Sequence, residues 1–331
     1  MSKRIKLIAI GIFVISAIAN IFFAYQFNAR DGETRVKPVS NEKYIYIAAT
    51  NKSQQTEIEK EGLNAFKNQF HVSADVLAPD EFDVVAQTQL LLDAIETKPD
   101  GIIIYGAALS LTPYVNKAID AGIPTITVGS DLPDSKRLAY VGPDWHEVGV
   151  KQAETVIELI DEVGTVAMLG RVGSDSTDQA FRGFEETMEK YEDVYVLEGF
   201  DDMGTVEEAS RLTKKLVKEY DIKAIAGFDS NSGLGIAQAL KELGMEKKIK
   251  VVGVGNTPDN LKLVKEGIVE KLIGQKRELM TYYGFNLLYD INHGKLSITT
   301  DDPKNSVTNI PKKINTGLIE IDKLNVEDFL K

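Results

Sequence analysis

Residues 227–244 read GFDSNSGLGIAQALKELG. An apolar run ends at Phe228, small and polar residues follow, and an amphipathic stretch begins. Two chemistries use such a turn. A glycine-rich loop can cradle phosphate on backbone N–H groups at a helix N-terminus. A lone carboxylate, here Asp229, can instead grip the hydroxyls of a neutral ligand. The phosphate reading fails on spacing. Gly233 and Gly235 form one G-x-G with no third glycine at the required distance, and no GxxxxGK[ST] occurs anywhere. The charge of Asp229 would also oppose a phosphate. The glycines fit close packing of helix on sheet, and Ser230 or Ser232 is expected to start the helix.

Other reactive constellations are missing. No GxSxG, HExxH or kinase motif appears. The three histidines, His71, His146 and His293, lie far apart and form no metal-ligand spacing. The chain has no cysteine, which removes disulfides, thiolate metal sites, cysteine nucleophiles and a lipid anchor on cysteine. The expectation is therefore a binding protein, with no catalytic residue, metal or cofactor. Its formal net charge is −12. The first thirty residues hold Lys3, Arg4, Lys6 and Arg30 and no acid, so taking those four charges off leaves −16 on the rest. Such a body repels phosphate backbones, and nucleic acid is not an expected partner.

The basic start is followed by an apolar run over 7–27, broken only by Ser16, Asn20 and Gln26. At about 1.5 Å per residue this spans roughly the 30 Å hydrocarbon core. Ala17-Ile18-Ala19 offers a cleavage pattern, but the apolar run continues past it to Tyr25, an interfacial type of residue. An uncleaved single-pass anchor is expected, with the body outside the cytoplasm. Residues 28–43 are polar and read as a tether.

From Tyr44 the chain alternates strand and helix. Short, unalternating apolar runs at 44–49, 72–78, 100–106 and 123–129 are separated by helical patterns at 56–70, 84–96 and 112–121. Runs of this kind suit parallel strands covered on both faces. The cycle restarts with a helix at 146–162. Strands follow at 164–170, 194–200, 222–228 and 249–255, with helices at 176–190, 205–219, 232–243 and 258–266. A strand at 269–275, a helix at 277–292 and a strand-like 316–321 close the order. Two β/α blocks in series, with a tail returning to both, predict two lobes and a cleft between them.

Several segments carry a family resemblance. They are DGIIIYGAALSLTPYVNKAIDAGIPTITVGSD, YVGPDWHEVG, FRGFEETM, IKAIAGFDSNSGLGIAQALKELG and IKVVGVGNTPDNLKLVKEG. Their order and spacing over about residues 44–325 resemble the type I periplasmic binding proteins, in particular the ribose and xylose branch. The resemblance implies an α/β fold of two doubly wound parallel-sheet lobes joined by a multi-strand hinge, to which the apolar run over 7–27 adds an expected transmembrane helix at the N-terminus. The layout expected is an anchor over 1–28, a linker over 29–43, a first lobe from 44–143 and 276–313, and a second from 144–275 and 314–331. The layout is also similar to that of membrane-anchored xylose-sensing receptors that partner a LytS-type histidine kinase. The implied partners are a small sugar and either a membrane-embedded sensor kinase or an ABC permease.

Ligands of open α/β sheets sit beyond the carboxyl ends of strands. Carried onto these positions, the resemblance implies ligand contacts from Asn51 and Ser53 after the first strand and Asp131 after the fourth. In the second block it implies Asp178, Gln179, Met203, Asp229, Asn256 and Gln275. The family's arginine before the Gly-Phe pair falls near Ala180, so that guanidinium is missing unless Arg171 or Arg182 replaces it. The family's aromatic pair after the first strand is missing too. Trp145, the one tryptophan, is expected either to stack on a sugar face or to cover the hinge.

Overall fold

The computed structural model of the chain describes residues 41–295 and 310–330. The anchor expected over 1–28, almost all of the linker, and residues 296–309 of the first-lobe segment lie outside them. Among the described residues no helix is long and apolar enough to cross a membrane.

The first block runs β1 (Lys43–Ile47), α1 (Gln54–Phe70), β2 (Ser73–Leu77), α2 (Val84–Glu96), β3 (Gly101–Tyr105), α3 (Thr112–Asp120), β4 (Thr125–Val128) and β5 (Tyr140–Gly142). The second runs α4 (Trp145–Leu159), β6 (Gly164–Gly170), α5 (Asp175–Met188), β7 (Val194–Val196), β8 (Phe200–Asp201), α6 (Val206–Glu219), β9 (Ile222–Gly227), α7 (Ser230–Leu243), β10 (Lys250–Val254), α8 (Pro258–Lys265) and β11 (Lys271–Gly274). The chain then returns through α9 (Arg277–Asn292), β12 (Lys313–Asn315) and β13 (Ile319–Asp322).

The first sheet has the order β12-β5-β4-β3-β1-β2, all parallel. The second has the order β13-β11-β10-β9-β6-β7, with β8 also on β6. In it only β13 runs antiparallel. The chain therefore passes between sheets three times: after β5, after β11 and after β12.

Burial follows from the composition of the strands. All five residues of β3, Gly-Ile-Ile-Ile-Tyr, are buried, as a strand covered on both faces requires. In β6, Val166 and Met168 join one apolar cluster while Ala167 and Leu169 join another, so successive residues fill opposite faces of the sheet. In the first lobe Phe66 of α1 stacks on Phe285 of α9 at 5.0 Å and meets Tyr44 edge-on at 5.3 Å. Gly62 makes that helix pair possible, because a Cβ there would lie 1.9 Å from the Glu278 carbonyl.

Three expectations need correction. The apolar run at 194–200 is two strands, β7 and β8, parted at Leu197–Gly199. Gly199 faces Phe181 so closely that a Cβ would come within 2.3 Å of the ring. Helix α7 starts at Ser230 rather than 232, and Asp229 is its cap, accepting from the N–H groups of Asn231 (2.8 Å) and Ser232 (2.9 Å). Neither Ser230 nor Ser232 does this. Ile314 and Asn315, assigned to the second lobe, pair with Val141 and Gly142 in the first sheet. With one apolar residue in three, Lys313–Asn315 carries little strand signal, and pairing supplies the reason for its conformation.

Candidate functional site

In both lobes parallel strands end where the next helix begins, so the caps collect at one edge. Ser53, Asp83, Ser174, Thr205 and Asp229 each accept from N–H groups of the helix they open. Between these edges lies a cavity of about 370 Å³. The first lobe contributes Ser53, Gln54, Gln55, Phe82 and Tyr105. The second contributes Arg171, Ser176, Thr177, Asp229, Ser230 and Asp259. Trp145 and Arg277, each opening a helix just after a crossover, add to the lining.

Asp229 has its two oxygens in different roles. Oδ1 caps α7, whereas Oδ2 is buried and has no hydrogen-bond partner within the protein. A buried carboxylate oxygen without a donor costs free energy, so its position calls for a hydroxyl or water. Beside it Asp202 is fully buried and accepts from the Gly204 N–H (2.9 Å) and the Ser232 hydroxyl. Burial, and next the charge of Asp229, push the Asp202 carboxyl up to about 7.

Arg277 is buried and donates through Nη1 to Glu59 Oε1 at 2.8 Å. Tyr46 donates to the other Glu59 oxygen at 2.7 Å, and burial together with Glu59 raises that phenol well above its usual range. The guanidinium beside the cavity is thus neutralised from below. Arg171 is different. Among the described residues no carboxylate pairs with it, and its Nε is buried without an acceptor. Its guanidinium carbon lies 4.1 Å from the centre of the Phe82 ring, which belongs to the opposite lobe.

Direct contacts tie the two walls. Gln55 donates to the Ser230 hydroxyl at 2.6 Å, and Gln54 donates to Asp259 at 3.1 Å. The Ser176 N–H donates to the Ser130 hydroxyl at 3.3 Å. No histidine lines the cavity, and its polar side chains are hydrogen-bond donors and acceptors.

Of the residues expected at the ligand, Ser53, Trp145 and Asp229 lie on the cavity wall. Trp145 is buried and donates Nε1 to the Gly129 carbonyl at 2.6 Å, so its edge is fixed to the end of β4. Gln275 is fully buried, and neither heteroatom of its amide has a partner. Its backbone N–H reaches Asn256 Oδ1 at 3.4 Å. The remainder lie elsewhere. Asp131 is a buried ion-pair partner of Arg137 and accepts from Thr127, because Arg137 folds back over the turn. Asp178 accepts from the Gly173 N–H and holds the loop before α5. Gln179 lines a smaller cavity of about 140 Å³ near Lys313. Asn51 is exposed and bonds Pro79 through its backbone. Met203 is exposed and left-handed, with φ of 55°.

Sequence reasoning missed Phe82, Tyr105 and Phe228, which supply the cavity with aromatic surface that the first strand's end lacks. Tyr105 ends β3 and Phe228 follows β9, so strand ends were the available signal for those two, whereas Phe82 lies five residues past β2, just before the Asp83 cap. Arg277 and Asp259 were missed because both looked like ordinary helix-start charges.

The chain is 26% identical over 243 residues to the D-allose-binding periplasmic protein of Escherichia coli K12, covering 70% of this chain and 78% of that one. It is 24% identical over 250 residues to the D-ribose/D-allose-binding protein of Pseudomonas aeruginosa, covering 72% and 76%. Among solved structures, an ABC transporter solute-binding protein from Agrobacterium vitis, bound with α-D-tagatopyranose, superposes with a TM-score of 0.80. It is 26% identical, and the match covers 87% of this chain and 97% of that one. Residues 45–296, which include both parallel sheets up to β11 and every cavity residue named above, match the periplasmic binding protein domain, and the chain belongs to that family.

Proposed function

We propose that the protein is an extracytoplasmic receptor for an uncharged monosaccharide, which closes on its ligand and signals through a membrane-embedded sensor histidine kinase. The observation that carries the ligand class is Asp229, with one orphaned oxygen, on a cavity wall of hydroxyls, amides and aromatic faces. A sugar hydroxyl donates and accepts at once, and its C–H faces pack on rings. The relatives' names, which mention allose, ribose and tagatopyranose, support the same class. Gln275, with its unpartnered amide, is assigned to the ligand alongside Asp229.

The sensor half rests on residues 1–28, whose basic start and apolar run suit an uncleaved anchor. An anchored receptor can present its closed surface to a fixed neighbour in the membrane. A second reading, delivery of sugar to an ABC importer, is favoured by the description of the Agrobacterium protein as part of an ABC transporter.

Thermal unfolding of the full-length protein with D-ribose, D-allose, D-xylose and D-arabinose tests the ligand class. A binding sugar at a hundred times its Kd should stabilise by about 2.7 kcal/mol. No shift with any neutral sugar would end this reading. Purification from membranes with and without the active sugar separates the partners: a sugar-dependent kinase supports sensing, and importer subunits alone would replace it with transport.

A further inference from the structure

The geometry points to Arg171 as the residue that reads the ligand from the second lobe and, through Phe82, couples that reading to closure. This deepens the receptor reading above and rests on it for the class of ligand. Arg171 directly follows Gly170, the last residue of β6, at the carboxyl edge of the second sheet. Its guanidinium lies over the Phe82 ring of the opposite lobe, 4.1 Å away. Gly204, left-handed with φ of 68°, approaches it from its own lobe, where an added Cβ would meet Cδ and Nη1 at ordinary contact distance, 3.4 Å.

So positioned, Arg171 keeps its Nε buried without an acceptor, and no carboxylate among the described residues neutralises it. Asp229, whose Oδ2 is an orphan acceptor, lines the same cavity. A donor that cannot accept and an acceptor that cannot donate suit a ligand that does both, such as a sugar with adjacent hydroxyls. The family guanidinium missing at Ala180 is thus supplied from Arg171, at the end of a strand instead of within the following helix. Because the face of the same group rests on Phe82, separating the lobes removes the ring and frees the side chain. Ligand binding at the guanidinium and lobe closure are then one event at one residue.

The test uses the full-length protein with Arg171→Gln, Arg171→Lys and Phe82→Leu. The absence of native cysteine allows labels at Val85→Cys on α2 and Glu207→Cys on α6, one exposed site in each lobe. Without ligand, Arg171→Gln and Phe82→Leu should both shift the inter-label distance distribution to longer values. Arg171→Lys, which keeps a cation for the ring, should shift it less. In titrations with D-ribose, D-allose, D-xylose and D-arabinose, Arg171→Gln should weaken binding at least about tenfold and Phe82→Leu by a smaller factor. An unchanged ligand-free distribution in Arg171→Gln overturns the proposal, as does sugar binding within twofold of wild type. If wild type binds none of these sugars while Arg171→Gln still opens the lobes, the sugar reading falls and the coupling of Arg171 to closure stands.

Discussion

At Asp202 and Asp229 two carboxylates share one strand-end neighbourhood, and their environments separate their roles. Asp229 spends one oxygen on the α7 cap and keeps the other buried without a partner. Asp202 is buried behind it, with its proton held to about pH 7 by burial and the Asp229 charge. The sign of the effect on stability follows. The folded protein keeps a proton that the unfolded chain releases near 3.8, so this contribution is complete below that pH and is lost as pH rises through about 7. In Asp202→Asn the group no longer titrates. Melting curves from pH 5 to 8 should therefore show wild type losing ground steadily against the variant, and parallel profiles would refute the assignment. Of this pair, the sequence displays only Asp229. A carboxylate directly after an apolar strand invites attention, whereas Asp202 sits in the run Asp201-Asp202-Met203 with nothing to mark it as the buried one. The bond from Ser232, thirty residues away, makes that choice.

Helices α4 and α5 cross with their backbones almost touching. A Cβ at Gly149 would lie 1.9 Å from the Ala180 carbonyl, and one at Gly183 would lie 2.1 Å from that of His146. Glycine inside a helix costs about 1 kcal/mol relative to alanine, so its placement at both crossing points marks a packing need that outweighs propensity. Gly183→Ala should destabilise the protein by about 3 kcal/mol or more and lower its melting midpoint by several degrees. A melt that matched wild type would mean the helices can separate freely. Elements of this kind were largely readable in advance. Strands such as 164–170 announce themselves by unbroken apolar composition. What escaped was decided by tertiary contact: Phe181 lies against Gly199 where β7 gives way to β8, and β5 recruits the polar Lys313–Asn315 as a strand.

For the whole molecule, the two-block plan was visible as a rhythm, while the meeting of the walls was not. Gln54 reaches Asp259 and Gln55 reaches Ser230 across about two hundred residues of chain, and no local pattern encodes such pairs. These contacts, with Arg171 on Phe82, hold the lobes by hydrogen bonds and a cation–ring contact, and among the described residues no ion pair joins the two lobes. With a neutral ligand, affinity should change less than about twofold between 50 and 500 mM salt. A steep salt dependence would point to a charged ligand. The return of the chain has a further consequence. Each sheet takes one of its outermost strands, β12 or β13, from residues 313–322, after every other strand has been made. Neither sheet is therefore complete until residues 313–322 have joined it. The pairings that complete both sheets span more than 170 residues in the first and about 50 in the second. Assembly should be slow, and the two lobes should reach their final form together at its end.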